Sequence, residues 1–358
     1  MRLEDLGEFP LIQRLTAGLE SRADVALGIG DDAAALDLGH GLGADQLLLA
    51  TCDAQVEGTH FLPSIATPEE IGHKALAVNL SDIAAMGGEP LWALVSLLAP
   101  PDLDVAMLDG VYAGMRALAR QFNVALVGGN VSSTPGPLTL DITALGRVAR
   151  DRLLTRAGAR PGDRLLVTGR LGAAVTALLA YTASSDHAAL PAEAAAALGE
   201  ARRAMVTPQP RVREGQALAA TGQVTAMLDI SDGLAGDLGH LCQRSGVGAV
   251  VELAALPVDA ATRTLAQALG RDPLRIALTS GDDYELLFTA RPEGVAEALE
   301  AVRAVGGVAT VIGEITTVAS GLRVRAQDGK QLALEARGWD HLRPHTTPAN
   351  EPPDVGAP

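Results

Sequence analysis

Short strand-like runs alternate with helical stretches along this chain, and the alternation limits the folds it can adopt. Aliphatic runs at 25–29, 47–51, 91–98, 124–127 and 138–145 each lead into glycine, proline or acidic residues. A second half opens with a turn sequence at 160–163, followed by a strand-like run at 165–168 and further mixed elements. Mixed strands and helices in each half predict an α/β class with α+β layers.

The length of 358 residues predicts about two domains, because a single hydrophobic core stops growing below this size. We place an N-terminal domain at 1–149, where the first set of strand-like runs ends, and a C-terminal α/β domain at 150–343. Residues 344–358 are rich in proline and threonine and lack periodicity, so we expect a flexible tail.

Two helices are marked by clear start signals. Thr67 can cap a helix that has Pro68 at its first position and Glu70 as the capping-box partner. We expect this helix to run to Met86, before two glycines. Asp102 is the predicted cap of a second helix, whose apolar residues keep helical spacing until the strand-like run at 124.

The charge balance argues against nucleic acid as a partner. The chain carries a formal net charge of −15, whereas binding of phosphate backbones needs a basic surface. Only two basic residues are lysines, Lys74 and Lys330, and neither lies in a GxxxxGK[ST] segment, which excludes a Walker-type phosphate loop. Phosphates would therefore have to be neutralised by arginine or by metal ions held on carboxylates.

The sequence shows no sign of a membrane or secretory location. It has no apolar stretch near the ~20 residues that span a bilayer, and its acidic beginning lacks the features of a secretory signal. We therefore expect a cytoplasmic protein without a membrane partner. Its two cysteines, Cys52 and Cys242, are too few for a disulfide framework or a zinc site built from CxxC pairs.

Carboxylates recur at four separate strand ends or turns. They are Asp31 and Asp32 after Gly30, Asp53 after the run 47–51, Asp229 and Asp232 beside the run 226–230, and Asp282 and Asp283 after Gly281. Asp82 adds a carboxylate to the last turn of the first helix, where it opposes the helix dipole and calls for a compensating cation. Oxygen-only ligands select hard cations, so we expect Mg²⁺ rather than zinc.

Each feature also has a simpler structural explanation. The segment 30–32 is common turn chemistry, and 229–233 could cap a helix. The segment 128–130 could be an ordinary turn, or its glycines could let a phosphate approach the backbone. His60 could be structural, and Trp339 could be a packing anchor or a stacking platform for a flat ligand. The repetition of acid at strand ends in a chain with two lysines favours the metal interpretation.

Three segments in this order are specific enough to indicate a family. They are KALAVNLSDIAAMG at 74–87, DISDGL at 229–234 and GDDYEL at 281–286, and similarity extends from GIGDD at 28–32 to GWDH at 338–341. The chain resembles the thiamine-monophosphate kinases, of the superfamily that includes aminoimidazole ribonucleotide synthetase and selenophosphate synthetase.

This resemblance implies two α/β domains and a homodimer whose N-terminal domains, each a mixed sheet with helices, join into a barrel. It implies ATP and several Mg²⁺ ions at a site surrounded by aspartates. Carried over by position, the metal site comprises Asp32, Thr51, Cys52, Asp53, Asp82, Asn130, Asp229 and Asp232. The ATP contacts are Tyr112, Gly128, Gly129, Arg156 and Ser231. The residues that line the thiamine monophosphate pocket are His60, Asp282 and Trp339.

Three positions depart from the family pattern. Asn130 stands where an aspartate is usual, and its neutral oxygen should weaken a metal contact. Cys52 stands where a threonine often precedes Asp53, and a thiol is a poor Mg²⁺ ligand. Asp282 replaces the commoner glutamate, so its reach to substrate is about one methylene shorter.

The implied reaction is ATP-dependent phosphorylation of thiamine monophosphate to thiamine diphosphate by direct in-line transfer, with no covalent nucleophile. A phosphate monoester has its second pKa near 6, so the acceptor oxygen is ionised at neutral pH and needs no strong base. Two alternatives remain open: another ATP-using enzyme of the superfamily, similar to aminoimidazole ribonucleotide synthetase, or a catalytically silent nucleotide-binding regulator. A selenophosphate synthetase is disfavoured because the first 51 residues contain no cysteine.

Overall fold

The structure is a computed structural model that describes residues 25–27, 30–38, 45–183, 190–336 and 338–339. The predicted tail at 344–358 and residues 28–29 of the first strand-like run lie outside the described residues.

The N-terminal half is built on a six-stranded sheet with the strand order β1-β2-β3-β6-β4-β5. Its strands are β1 (Val25–Leu27), β2 (Ala34–Leu36), β3 (Gln46–Val56), β4 (Glu89–Ala99), β5 (Ala125–Ser133) and β6 (Thr139–Ala149). Neighbouring strands are antiparallel except β4 and β5, which are parallel. Helix α1 (Pro68–Ala85) lies against β3, β4 and β6, and α2 (Val105–Gln121) packs on α1.

The C-terminal half is built on a seven-stranded sheet with the order β13-β12-β9-β11-β7-β10-β8. Its strands are β7 (Arg164–Thr168), β8 (Val224–Asp229), β9 (Val247–Glu252), β10 (Leu286–Ala290), β11 (Ala309–Thr317), β12 (Leu322–Arg325) and β13 (Gln331–Ala333). Its helices are α3 (Ala173–Ala183), α4 (Ala192–Val206), α5 (Val212–Thr221), α6 (Leu234–Ser245), α7 (Ala260–Ala268), α8 (Pro273–Thr279) and α9 (Val295–Ala304). The predicted α/β class with α+β layers is confirmed.

The two predicted helix starts have different outcomes. Thr67 caps α1 as predicted, because its hydroxyl accepts from the backbone N–H of Glu70 and the Glu70 carboxylate accepts from that of Thr67. The prediction that Asp102 caps α2 is wrong: Asp104 is the cap and accepts from the N–H of Ala106 at 2.9 Å. Asp102 lies in the turn before the helix, which shifts the start by two residues.

Glycines allow α1 to contact its helical neighbours at backbone distance. A Cβ added at Gly72 of α1 would lie 1.8 Å from the carbonyl oxygen of Val111 in α2, and one at Gly114 would lie 1.8 Å from that of Glu69. A Cβ at Gly215 of α5 would lie 2.2 Å from the carbonyl oxygen of Ala84. Helix α1 of the N-terminal half therefore packs directly against α5 of the C-terminal half.

One buried apolar cluster runs through both halves and includes Leu76 and Leu80 of α1, Met115 of α2 and Phe288 of β10. The two sheets share no described strand, and residues 150–163 connect β6 to β7. The domain limits at 149/150 and 343/344 stay predictions. Among the described helices, none combines the length and the apolar character that a membrane crossing requires.

Candidate functional site

A cavity of about 940 Å³, lined by residues from both halves, contains most of the predicted site residues. At one end, Asp32, Asp82 and Asp229 each place a carboxylate oxygen within 4.8 Å of the other two. These three residues form what we call the acidic cluster. They come from the turn between β1 and β2, the last turn of α1 and the end of β8, so three distant segments converge on one point.

Hydrogen bonds from neighbouring side chains hold the acidic cluster. The Thr51 hydroxyl donates to Asp82 Oδ2 at 2.6 Å, and the Ser81 hydroxyl donates to Asp229 Oδ2 at 2.5 Å. Thr51 belongs to β3, whereas Ser81 belongs to α1 and bonds to the other half of the chain. The backbone N–H of Asp53 donates to Asn79 Oδ1 at 3.1 Å, which ties β3 to α1 beside the cluster.

The close approach of these carboxylates changes their acidity. Burial raises the pKa of Asp82 well above its usual range, and the charges of Asp53, Asp229 and Asp32 raise it further. Burial, followed by the charge of Asp32, raises the pKa of Asp229 from 3.8 to about 8. Without a bound cation, Asp82 and Asp229 therefore favour their protonated forms near neutral pH. A divalent cation would compensate the same charges.

Arg156 supplies one positive charge beside the acidic cluster. Its guanidinium donates to Asp32 Oδ1 at 2.6 Å, and its backbone N–H donates to Asp31 Oδ1 at 3.1 Å. Burial and the charge of Asp32 raise the pKa of Asp31 to about 6. The sequence analysis noted Asp31 beside Asp32 as a carboxylate after Gly30, but it did not include Asp31 among the site residues.

The other end of the cavity is mainly apolar. Its lining side chains there are Phe61, Leu62, Ile65, Val175, Leu178 and Met205, with Glu70 near Ile65 through their shared partner Arg202. His60 and Trp339 also line the cavity, and the backbone N–H of Trp339 donates to the carbonyl oxygen of Asp232 at 3.0 Å. His60 Nδ1 accepts from the backbone N–H of Val56 at 3.0 Å. The cavity can thus take a ligand with a charged end and a flat, apolar end.

Two loops close the cavity between these ends, and backbone hydrogen bonds join them. The N–H of Asp282 donates to the Ser231 carbonyl and that of Tyr284 to the Ile230 carbonyl, both at 2.8 Å. Asp282 and Tyr284 have φ values of 67° and 51°, a left-handed conformation that is costly for residues with a side chain. Asp237 Oδ2 accepts from the N–H of Gly233 at 3.0 Å and holds the other loop.

Several cavity residues were not assigned from the sequence. Lys74 and Tyr284 belong to the segments 74–87 and 281–286 that indicated the family, yet the sequence analysis assigned neither residue to the site. The scarcity of lysine was a signal for Lys74, because one of two lysines lies inside an apolar helix. His240 also lines the cavity, and burial followed by the nearby Arg156 charge lowers its pKa to about 4.

Four predicted ATP and metal residues do not line this cavity: Tyr112, Gly128, Gly129 and Asn130. In register across the sheet, Asp53 pairs with Ile142, Ile142 with Val95, and Val95 with Gly129. Three interstrand spacings of ~4.8 Å separate Asp53 from Gly129, or about 14 Å. The glycines of β5 therefore lie at the edge of the sheet, away from the acidic cluster of the same chain.

Cys52 borders the cavity, but its thiol donates to Asp141 Oδ1 at 2.9 Å. Side chains alternate along a strand, so the Cys52 thiol lies on the face of β3 opposite to Thr51 and Asp53. Burial raises the pKa of this thiol, and its hydrogen bond to Asp141 adds to the effect. The thiol therefore stays protonated at neutral pH.

Comparisons with known proteins match both halves. The AIR synthase related protein family matches with its N-terminal domain at residues 30–148 and its C-terminal domain at 160–324. Thiamine-monophosphate kinase of Escherichia coli is 40% identical over 339 residues, or 94% of this chain and 98% of that protein.

Solved structures agree with this match. AaThiL complexed with AMPPCP and TMP has a TM-score of 0.80 and 34% identity, covering 95% of this chain and 99% of that chain. Thiamine-monophosphate kinase from Stenotrophomonas maltophilia has a TM-score of 0.71 and 39% identity, covering 91% of this chain and 98% of that chain.

Proposed function

Because this chain belongs to the AIR synthase related family and, within it, to the thiamine-monophosphate kinases, we propose that it phosphorylates thiamine monophosphate. It transfers the γ-phosphoryl group of ATP to the substrate phosphate and releases thiamine diphosphate. The observation that carries the proposal is a single cavity with the acidic cluster at one end and an apolar chamber at the other. Such a cavity suits a phosphate ester of a flat heterocycle.

The residues at the acidic end fit Mg²⁺, because they offer oxygen ligands and three of their carboxylates lie within 4.8 Å of one another. We propose that Asp32, Asp53, Asp82 and Asp229 hold the metal ions, with Thr51 and Asp232 as further candidates. Asn130 would reach such a site only from a second copy of the chain, and the Cys52 thiol is set aside because it bonds to Asp141 on the opposite face of β3. When bound, Mg²⁺ supplies positive charge that offsets repulsion between the two phosphorylated substrates and favours in-line attack.

The residues around the acceptor support transfer without a strong general base. The acceptor phosphate is largely ionised at neutral pH, since its second pKa is near 6. His60 Nδ1 already accepts a backbone hydrogen bond, and His240, with its pKa lowered to about 4, is a weak base. The task of the protein is therefore to align the two substrates and to hold charge.

Arg156 and Ser231 would bind the phosphates of ATP at the acidic end of the cavity. The Arg156 guanidinium pairs with Asp32 at 2.6 Å, and guanidinium groups bind phosphates through paired hydrogen bonds as they bind carboxylates. Trp339 would stack on the aminopyrimidine or meet the thiazolium cation, a contact worth roughly 0.5–2 kcal/mol. His60 and Asp282, which Lys74 joins, would lie beside the same ring portion of the substrate.

We propose that the protein acts as a homodimer joined through its N-terminal sheets. Strand β5 is an edge strand, and Val127 and Val131 are 55% and 75% exposed on it. Exposed apolar edges are stabilised by pairing with another chain. In such a dimer, Tyr112 and the segment 128–130 of one copy would serve the cavity of the other, since they lie away from their own.

The test is an endpoint assay with purified protein, thiamine monophosphate, ATP and Mg²⁺, in which thiamine diphosphate is measured by chromatography. We expect product that disappears when EDTA is added and that forms far more slowly when Asp82 is replaced by asparagine. Bound ATP with no thiamine diphosphate would favour a silent regulator. ATP hydrolysis that depends on another acceptor would favour a sister activity of the superfamily.

A further inference from the structure

A buried lysine lies where the acidic and apolar ends of the cavity meet. Lys74, one of only two lysines in the chain, belongs to α1, and its side chain is 8% exposed. Burial of an ammonium is costly unless the charge is paired and hydrogen-bonded. Its position inside an otherwise apolar helix segment therefore calls for a specific partner.

The contacts of Lys74 join two residues assigned to the substrate pocket. Its Nζ donates to Asp282 Oδ2 at 2.6 Å and to the carbonyl oxygen of His60 at 3.3 Å. His60 follows β3 in the N-terminal half, whereas Asp282 precedes β10 in the C-terminal half. One ammonium thus fixes the separation of two substrate residues that come from different halves of the chain.

The backbone of Asp282 is also held in an unusual conformation. Its φ of 67° lies in the left-handed region, which is costly for a residue with a side chain. The hydrogen bond from Lys74 to Oδ2 is therefore the contact that directs the Asp282 carboxylate.

Charge decides which part of the substrate Asp282 meets. A carboxylate repels a phosphate but attracts a cation and accepts hydrogen bonds from amino groups. In thiamine monophosphate, those groups are the thiazolium and the amino group of the pyrimidine. Asp282 therefore faces the ring portion of the acceptor, and the phosphate lies toward the acidic cluster and its cations.

We propose that Lys74 is a positioning residue for the ring portion of thiamine monophosphate and that it acts through Asp282. This inference rests on the proposed kinase function. Without Lys74, the Asp282 carboxylate loses its direction, and the acceptor binds weakly. The acidic end of the cavity, where Arg156 pairs with Asp32, keeps its contacts.

The experiment measures KM for each substrate in Lys74→Met, Asp282→Asn and the double variant, with Lys330→Met as the matched control. Lys330 is exposed and pairs with Asp328 at 3.0 Å, far from the cavity lining. We expect Lys74→Met to raise the KM for thiamine monophosphate by about 10- to 100-fold, which corresponds to the loss of one hydrogen bond to a charged group. The KM for ATP should change by less than about 3-fold.

The double variant separates positioning from direct substrate contact. If Lys74 acts through Asp282, the double variant should be no worse than Asp282→Asn, within about 2-fold. This comparison remains available if Lys74→Met folds poorly, because the double variant removes both charges of the pair. Losses that multiply, or an equal rise of both KM values, would overturn the inference. An inactive wild-type protein would instead refute the proposed function.

Discussion

Replacing Asp82 by asparagine should stabilise the metal-free protein while it removes most of the kinase activity. Asp82 has carboxylate oxygens of Asp32 and Asp229 within 4.8 Å. At an effective dielectric constant of ~20, two unit charges at 4.8 Å repel each other by about 3.5 kcal/mol. Asparagine has nearly the same volume, and its amide oxygen can still accept from the Thr51 hydroxyl.

The net gain in stability is smaller than this repulsion, because proton uptake already relieves part of it. The raised pKa of Asp82 shows that the folded protein retains a proton that the unfolded chain releases. We expect Asp82→Asn to stabilise the metal-free protein by about 1–3 kcal/mol at pH 8. Activity should move the other way: one lost metal ligand should lower kcat by about 10²- to 10³-fold.

The assay is thermal unfolding in EDTA at pH 8, with turnover measured on the same preparations in Mg²⁺. The apparent Tm of the variant should rise by roughly 2–4 °C per kcal/mol in EDTA, and Mg²⁺ should raise it less than in the wild type. Asp109→Asn is the matched control, because Asp109 is an exposed aspartate of α2. A lower Tm in EDTA, or turnover near that of the wild type, would refute the reasoning.

Four further outcomes are expected. In EDTA, the free energy of unfolding from denaturant titrations should fall as pH rises from about 4 to about 8, because burial and the charge of Asp32 raise the pKa of Asp229 from 3.8 to about 8. Added Mg²⁺ should oppose this trend. Arg156→Met should destabilise the metal-free protein by about 3 kcal/mol, since it leaves the buried Asp32 unpaired, and calorimetry with Mg²⁺ should show most of the loss recovered. His60→Ala should lower kcat by less than about 10-fold, because its Nδ1 accepts a backbone hydrogen bond; a loss equal to that of Asp82→Asn would contradict the metal-cluster account. Val131→Asp should convert a dimer into a monomer by light scattering, and an unchanged mass would argue against the β5 interface.

Local signals in the sequence were sufficient for the elements that position the acidic cluster. The capping box at Thr67 involves groups only three residues apart, so the start of α1 could be predicted from the chain itself. The start of α2 was harder, because Asp102 and Asp104 both have a side chain that can cap a helix. Asp104 is the cap because the turn that follows β4 includes Asp102, so the helix begins two residues later than expected.

Contacts across the chain could not be predicted in the same way. Asp32 and Asp229 indicated a shared metal site because each was recognisable at a turn or a strand end. The expectation that Asp53 follows a strand is wrong, because β3 continues to Val56 and Asp53 lies inside it. The Lys74 to Asp282 ion pair joins residues 208 positions apart, and nothing near Lys74 in sequence indicates that partner. The distance of Tyr112 and the β5 glycines from the acidic cluster likewise appears only when the strand order is known.

The acidic cluster conflicts with the stability of the protein that carries it. A chain selected only for stability would not place three carboxylates within 4.8 Å of one another. Each destabilising group is held by bonds from elements that are themselves well packed: Thr51 from β3, Ser81 from α1 and Arg156 from the connecting segment. The surrounding elements hold the carboxylates close together in spite of their repulsion. A bound cation relieves that repulsion, and this relief adds to the free energy of cation binding. Substitutions that neutralise the cluster should therefore weaken metal binding in proportion to the stability they add.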